Sequence, residues 1–471
     1  MNVSANRNLA DRRLADPRSG PRSEPSADRP LAERFAAVRA ATLALAEPLS
    51  EADAQVQSMP DASPAKWHLA HVTWFLETFV LERFEPGFAP FHPAYRVLYN
   101  SYYEGVGARH PRPERGLVTR PSLAEVRAWR ADVDARIAAL LRDPPPGAAA
   151  LVELGLQHEQ QHQELLLTDL LHAFSCNPLA PAYRAREAAT AVRGRGLHEV
   201  GPADLAAGPD GVGATGPRWL GFDGGLVEIG HDGGGFAFDN ESPRHSVFLR
   251  PYALADRPVT QREWLAFVED GGYRDARWWQ SAGLDTARTR GWVAPLHWRR
   301  GEAGWSVFTL RGEAPLEPDA PVSHLSWYEA DAYAHWLGAQ SPGEPPPRLP
   351  LESEWEHGVA RQGPAAIAAG RFAEAGALRP LPASEGEGEG LLQAFGDVWQ
   401  WTRSDYAPYP GFRPWDGAIG EYNAKFMSGQ YVLRGASCAT PRTHARLTYR
   451  NFFPPDARWQ FSGLRLARDL D

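Results

Sequence analysis

The chain has 471 residues, with 49 Lys+Arg against 58 Asp+Glu for a net charge of −9, together with 15 His, 17 Trp and 2 Cys. That length predicts two or three domains, each able to bury a core, and the acidic balance argues against a general nucleic-acid-binding protein. Two cysteines, Cys176 and Cys438, exclude a disulfide scaffold or a cysteine-built metal cluster, so any metal site must draw on His, Asp or Glu.

Residues 1–30 are rich in Arg, Asp, Ser and Pro and read as a disordered tail without the apolar stretch of a secretory signal. Residues 31–176 read as helical. Segment 31–48 is Ala/Leu-rich with charges on one side. The second helix opens at Ser63-Pro64, with serine as N-cap and proline at the first helical position. It continues as AKWHLAHVTWFLETFVLERF, in which Trp67, His71, Trp74, Thr78 and Leu81 mark a buried stripe. The third helix starts at Ser122, with Glu125 completing a capping box, and stops before Pro144. The fourth covers about 149–174. Four such helices predict a bundle with one long connection, residues 85–121, and loops of that length are usually functional. Residues 177–215 read as a Pro/Gly/Ala-rich linker. Residues 216–471 read as a mixed domain with strands at 226–230 and 245–255, short helices at 260–270 and 326–338, and a flexible EGEGEG loop at 385–390. No apolar run approaches the roughly 18–20 residues of a membrane span. A reducing cytoplasm fits the cysteine count.

His158 and His162 are four residues apart and share one helix face with Leu154 and Leu165, which points them into the bundle. His71 lies on the stripe of the second helix, so a bundle core can bring the three imidazoles together. Three neutral His ligands suit Fe(II), Zn(II) or Cu(II) and leave positions open for substrate or dioxygen. Glu159 and Glu164 are placed to orient imidazoles, and His68, at a different angle, to take a supporting or surface position. HEQQH has the form of the HExxH zinc-protease motif, but no peptidase pattern surrounds it. The long connection carries Tyr102-Tyr103, one phenol for a site and one for its wall, followed by Arg109 and Arg112, which could clamp a carboxylate.

Three sets of residues then resemble one family. They are SPAKWHLAHVTWFLETF (63–79), NSYYEGVGARHPRP (100–113) with HEQQHQEL (158–165), and a C-terminal series that includes PVSHLSWYEADAYAHWLG (321–338), GDVWQWT (396–402) and YRNFFPPDARWQFSGLRLARD (449–469). Together they resemble the ergothioneine-biosynthetic sulfoxide synthases. The resemblance implies an α+β protein, a DinB-like four-helix bundle followed by a C-type-lectin-like domain of the formylglycine-generating-enzyme type. It implies Fe(II) on His71, His158 and His162, with dioxygen as co-substrate and the active site at the domain interface. It also implies small-molecule substrates, hercynine and a thiol; the charge balance and the lack of a long apolar run point to no nucleic-acid or membrane partner, and a monomer is the expected state. Gln161 and Asn451 match positions at the hercynine end, Arg109 and Arg112 match carboxylate-binding arginines, and Tyr102 or Tyr103 matches the active-site phenol. The branch that uses γ-glutamylcysteine carries an acid where this chain has phenylalanine in Arg450-Asn451-Phe452-Phe453, so the resemblance favours free cysteine as donor.

A selenoneine synthase, joining hercynine to a selenosugar, is the near rival. An ovothiol-type synthase would need an appended methyltransferase, and a formylglycine-generating oxidase would need a C-terminal cysteine pair where only Cys438 lies. A non-catalytic lectin-like binding protein is the rival from another class, and the histidine triad speaks against it.

Overall fold

The computed structural model describes residues 29–185, 216–302, 304–384 and 390–470. The tail up to residue 28, most of the expected linker and nearly all of the EGEGEG loop lie outside the described residues. Helix α1 (Leu31–Ala46) is followed by a short α2 (Glu51–Gln55) and by α3 (Ala65–Leu76). Next come a π-helical turn (Glu77–Leu81), the single turn α4 (Glu82–Phe84) and the short α5 (Tyr95–Leu98), then the long α6 (Leu123–Leu140) and α7 (Ala148–Ser175). Helix α3 packs on α6 and α7, and α1 on α7, which closes the four-helix bundle.

Two boundaries follow from local chemistry. Ser122 caps α6 by accepting from the Glu125 N–H, while the Glu125 carboxylate accepts from the Ser122 N–H at 2.8 Å. Helix α3 departs from expectation, since Pro64 rather than Ser63 is its cap residue. Ser63 is diverted to tertiary contacts, its N–H donating to Asp169 at 2.7 Å and its hydroxyl accepting from Arg115 at 2.9 Å. The expected stripe on α3 is also too narrow, because every residue from Ala65 to Leu76 is buried. The π-helical turn that ends it carries Glu77, whose carboxylate accepts from the Trp129 indole (3.1 Å) and the Phe91 amide (2.9 Å) and so holds the long connection against the bundle.

The second domain is built from small sheets. Strands β1 (Trp219–Phe222), β4 (Tyr252–Ala255) and β12 (Ala467–Asp469) form one antiparallel sheet, which brings both ends of the domain together. Strands β2 (Gly225–Ile229) and β3 (His245–Leu249) pair as a ribbon, and β5 (Trp298–Gly301), β6 (Gly304–Thr309) and β7 (Gly312–Pro315) as a meander. The central sheet runs β10 (Asn451–Phe453), β9 (Tyr431–Gly435), β8 (Trp399–Asp405) and β11 (Ser462–Gly463), with only β11 parallel to its neighbour. The two expected helices are α8 (Gln261–Glu269) and, after α9 (Ser281–Thr289), α10 (Trp327–Gln340), each opened by a capping box at Thr260–Glu263 and Ser326–Glu329. Trp264, Trp355 and Trp401 are fully buried, so the tryptophan richness belongs largely to this aromatic core. Among the described residues no helix is long and apolar enough to cross a membrane.

Candidate metal centre and active site

His71 from α3 and His158 and His162 from α7 each offer a ring nitrogen, and these three atoms lie within 4.8 Å of one another. His71 is sandwiched between Trp67 (ring centroids 4.5 Å) and Trp74 (5.4 Å), its neighbours four residues before and three after on α3. Its Nδ1 sits 2.7 Å from the Tyr99 carbonyl oxygen, so Nδ1 carries the proton and Nε2 keeps its lone pair. That Nε2 has no hydrogen-bond partner, nor has either ring nitrogen of His158, although all are buried. Burial, reinforced by the neighbouring imidazoles, holds His71 and His162 well below the usual histidine range; burial pushes His158 down to about 3. His71 and His158 are buried and carry orphaned nitrogens, half-buried His162 stands beside them, and together the three neutral imidazoles form a donor set suited to a divalent transition metal.

The helix that carries the pair serves three directions at once. His158 and His162 face α3. Glu159 and Gln163 face α1 and α6: Glu159 accepts from Arg39 (2.8 Å) and Thr42 (2.5 Å) of α1 and from Arg130 of α6, while Gln163 donates to Thr42 (2.9 Å). Burial alone would raise the Glu159 carboxyl, but Arg130 and Arg39 outweigh it and bring it to about 2. Gln157, Gln160, Gln161 and Glu164 face the second domain. Glu164 accepts from the Trp399 indole (2.8 Å), Ser437 (2.5 Å) and Thr440 (2.6 Å), and Gln157 takes His444 Nδ1 at 2.8 Å. Neither Glu159 nor Glu164 therefore orients an imidazole as expected: one braces the bundle and the other docks the domains. Orientation falls instead to His68, which is buried, with Nδ1 2.8 Å from His162 Nδ1 and Nε2 3.0 Å from Asp169.

A cavity of about 1070 Å³ opens at this junction. The bundle contributes Trp67, His68, His158, Gln161, His162 and Asp169, and the second domain Trp399, Tyr422, Phe426, Tyr449, Asn451, Phe452 and Phe453. Gln161 is fixed across the interface, donating to the Tyr449 hydroxyl and accepting from that of Tyr422. Asn451 accepts the Phe452 N–H at 2.9 Å, and Phe452 stacks on Tyr406 at 4.0 Å.

The loop residues divide. Tyr102 lines the cavity and stacks on Tyr103 (4.7 Å), whereas Tyr103 packs into the bundle against Trp74 and Phe79. Burial raises both phenols, so each is protonated. The loop is pinned to the second domain by Lys425, which donates to the Tyr102 carbonyl, and by Glu421, which accepts from the Glu104 and Gly105 amides (2.9 and 2.7 Å). Gly105 eases that approach, since a Cβ there would sit 3.0 Å from the Glu421 carboxylate and 3.1 Å from the Ala418 methyl. Arg109 and Arg112 border the cavity but are already engaged, Arg109 with the Glu104 carboxylate at 2.8 Å and Arg112 with the Asp61 carbonyl.

Two cavity residues escape the sequence reading. Arg115 is 5% exposed, lies flat over Trp67 at 3.5 Å and donates to Ser63, yet among the described residues no carboxylate pairs with it. Burial, aided by Arg112, lowers its guanidinium to about 9. The spacing Arg109–Arg112–Arg115 is visible in the sequence, but only the fold shows which of the three turns inward. Tyr422, 5.5 Å from His158 ring to ring, is the other, and it sits in a stretch with no pattern of its own.

Fold and site together define a two-module protein with a three-histidine centre where a helical bundle meets a lectin-like domain. Residues 34–166 match the DinB superfamily and residues 209–470 the sulfatase-modifying factor enzyme 1-like domain. The chain is 33% identical to hercynine oxygenase of Mycobacterium tuberculosis, covering 93% of this chain and 99% of that one. It is 34% identical to hercynine oxygenase of Mycolicibacterium smegmatis, again over 93% and 99%. Ergothioneine biosynthesis protein 1 of Schizosaccharomyces pombe is 24% identical over 50% of this chain and 28% of that one. The chain belongs to the ergothioneine-biosynthetic sulfoxide synthase family.

Proposed function

We propose that the protein is an Fe(II)- and O2-dependent oxidoreductase that joins hercynine to cysteine and delivers the sulfoxide. The observation that carries this reading is the triad of neutral imidazoles His71, His158 and His162, the last two lining a cavity shared by both domains, in a chain whose relatives are named for hercynine oxygenation. The balance is imidazole C–H plus thiol S–H plus O2 giving the C–S(=O) linkage and one water, so dioxygen takes all four electrons. Iron, when bound to His71, His158 and His162, supplies the oxygen-activating redox chemistry.

The chain's own residues do the rest. Gln161, locked between Tyr422 and Tyr449, presents a rigid polar edge beside the metal for the hercynine imidazole. Tyr422, Phe426, Tyr449 and Phe452 offer aromatic faces to a trimethylammonium group. Arg115 supplies the unspent positive charge for a substrate carboxylate, and Asp61, on the same wall, a carboxylate for an ammonium. The protonated Tyr102 phenol is the proton donor nearest the cavity in the loop. Phe452 and Phe453 offer no charge to the γ-glutamyl ammonium, which favours free cysteine.

A selenosugar donor is the second reading. The engagement of Arg109 by Glu104 and of Arg112 by Asp61 favours it, since two of three loop arginines are already committed. The test is incubation with Fe(II), O2, hercynine and either cysteine, γ-glutamylcysteine or a selenosugar, read by mass spectrometry. A hercynylcysteine sulfoxide is the expected product, and a selenium adduct alone would install the second reading. His158→Ala should lose bound iron and turnover together; an iron-free wild type unaffected by that change would leave only a binding protein.

A further inference from the structure

The three imidazoles are held by unlike means. His71 leans on a backbone carbonyl, and His158 has no partner at either nitrogen. His162 alone is held by an ionisable chain: its Nδ1 meets His68 Nδ1 at 2.8 Å, and His68 Nε2 meets Asp169 Oδ2 at 3.0 Å. The same carboxylate oxygen takes the Ser63 N–H at 2.7 Å. Asp169 stands seven residues after His162, two turns along the same face of α7, while His68 precedes His71 on α3 by three. The chain therefore bridges the two helices that also carry the triad.

Its polarity is dictated by its end. A carboxylate can only accept, so His68 Nε2 carries the proton it shares with Asp169. With its ring neutral, His68 offers a lone pair at Nδ1, and His162 then supplies the proton from its own Nδ1. His162 Nε2 is left as a bare lone pair. We propose that Asp169 and His68 form a positioning relay that sets the ring orientation, tautomer and donor strength of His162 for a bound metal. The inference rests on the metal reading above and adds to it. Asp169 makes His162 the most electron-rich of the three ligands, and the pair is a graded support that a backbone carbonyl cannot provide. Stability alone does not account for it, because buried hydrogen-bonded partners can be replaced by apolar groups of the same shape at little or no cost.

The probe is Co(II) bound to the full-length chain, with affinity read by competition with a chromophoric chelator and geometry by the visible absorption of the bound ion. His68→Leu is expected to weaken Co(II) binding about 10–100-fold and to alter the spectrum. His68→Gln keeps both hydrogen bonds with fixed polarity, its amide N–H toward Asp169 and its oxygen toward His162, and is expected to restore affinity to within about threefold of wild type. Asp169→Asn keeps an acceptor but removes the charge. It is expected to fall between wild type and His68→Leu, and it keeps the test open if His68→Leu does not fold. Unchanged affinity and spectrum in His68→Leu or in Asp169→Asn would overturn the relay, as would equal losses in His68→Leu and His68→Gln, which would indicate packing. A wild-type chain that takes up no Co(II) would instead overturn the metal reading, and the relay with it.

Discussion

Arg115 carries a charge that no described carboxylate neutralises, and it pays for burial only with a stack on Trp67 and a bond to Ser63. A buried guanidinium without an anion is costly, so its retention at a cavity wall argues for an anion that arrives with substrate. Arg115→Met keeps an unbranched side chain beside Trp67 and removes the stacked guanidinium with its charge. The expected result is a rise in KM for the thiol donor of about 10–100-fold, from the loss of about 1.5–3 kcal/mol of charge-assisted hydrogen bonding, with little change in KM for hercynine. Steady-state kinetics with each substrate varied in turn checks it; equal rises for both substrates would mean that Arg115 only shapes the cavity. Glu159 is the converse case, a buried carboxylate satisfied entirely by Arg39, Arg130 and Thr42. Glu159→Gln leaves two guanidinium groups facing a neutral amide and is expected to cost about 3–5 kcal/mol of bundle stability in urea unfolding.

At the scale of the element, α7 explains why one short segment is so dense in polar residues. HEQQHQE is read on three faces, toward the histidine triad, toward α1 and α6, and toward the second domain, and each face is polar for a different reason. Glu164→Ala removes the one acceptor shared by Trp399, Ser437 and Thr440, orphaning buried donors at the domain junction. It is expected to cost about 2–5 kcal/mol and to raise hydrogen exchange at 437–440 while that of α1 is unchanged. This division also marks the limit of the sequence. Helical spacing was enough to put His71, His158 and His162 in one bundle core, and a capping box placed the start of α6, because those signals are local. Periodicity could not tell which partner each polar residue of α7 would meet, since Arg39, Arg130 and Ser437 reach it only through the tertiary fold. For the same reason Ser63 looked like a cap, and Glu159 and Glu164 like supports for imidazoles. Arg115 stayed hidden among many arginines until stacking on Trp67 singled it out.

The molecule as a whole also buries neutral histidines outside the triad, and this sets how it responds to acid. His297 and His324 stand ring against ring at 4.6 Å in the second domain, both almost wholly buried. Burial, with each other's charge and Arg458 nearby, holds His297 well below the usual range, and burial brings His324 to about 3. In the unfolded chain both titrate near pH 6.5. Between about pH 6.5 and 3 the unfolded chain therefore binds protons that the folded chain refuses, so stability rises with pH across that window and is lost on acidification. Above pH 6.5 neither state takes up the proton, and the pair contributes no slope. Each such histidine adds up to roughly 1.4 kcal/mol per pH unit within the window. The expected outcome is that urea unfolding of the metal-free protein weakens steadily from pH 7 to pH 5. The double variant His297→Gln/His324→Gln should unfold with a slope lower by up to roughly 2.8 kcal/mol per pH unit, whatever its absolute stability. Equal slopes in the two proteins would mean that the pair admits protons in the folded state, by water entry or local opening, and that acid sensitivity arises instead at the other buried histidines, those of the triad and His444.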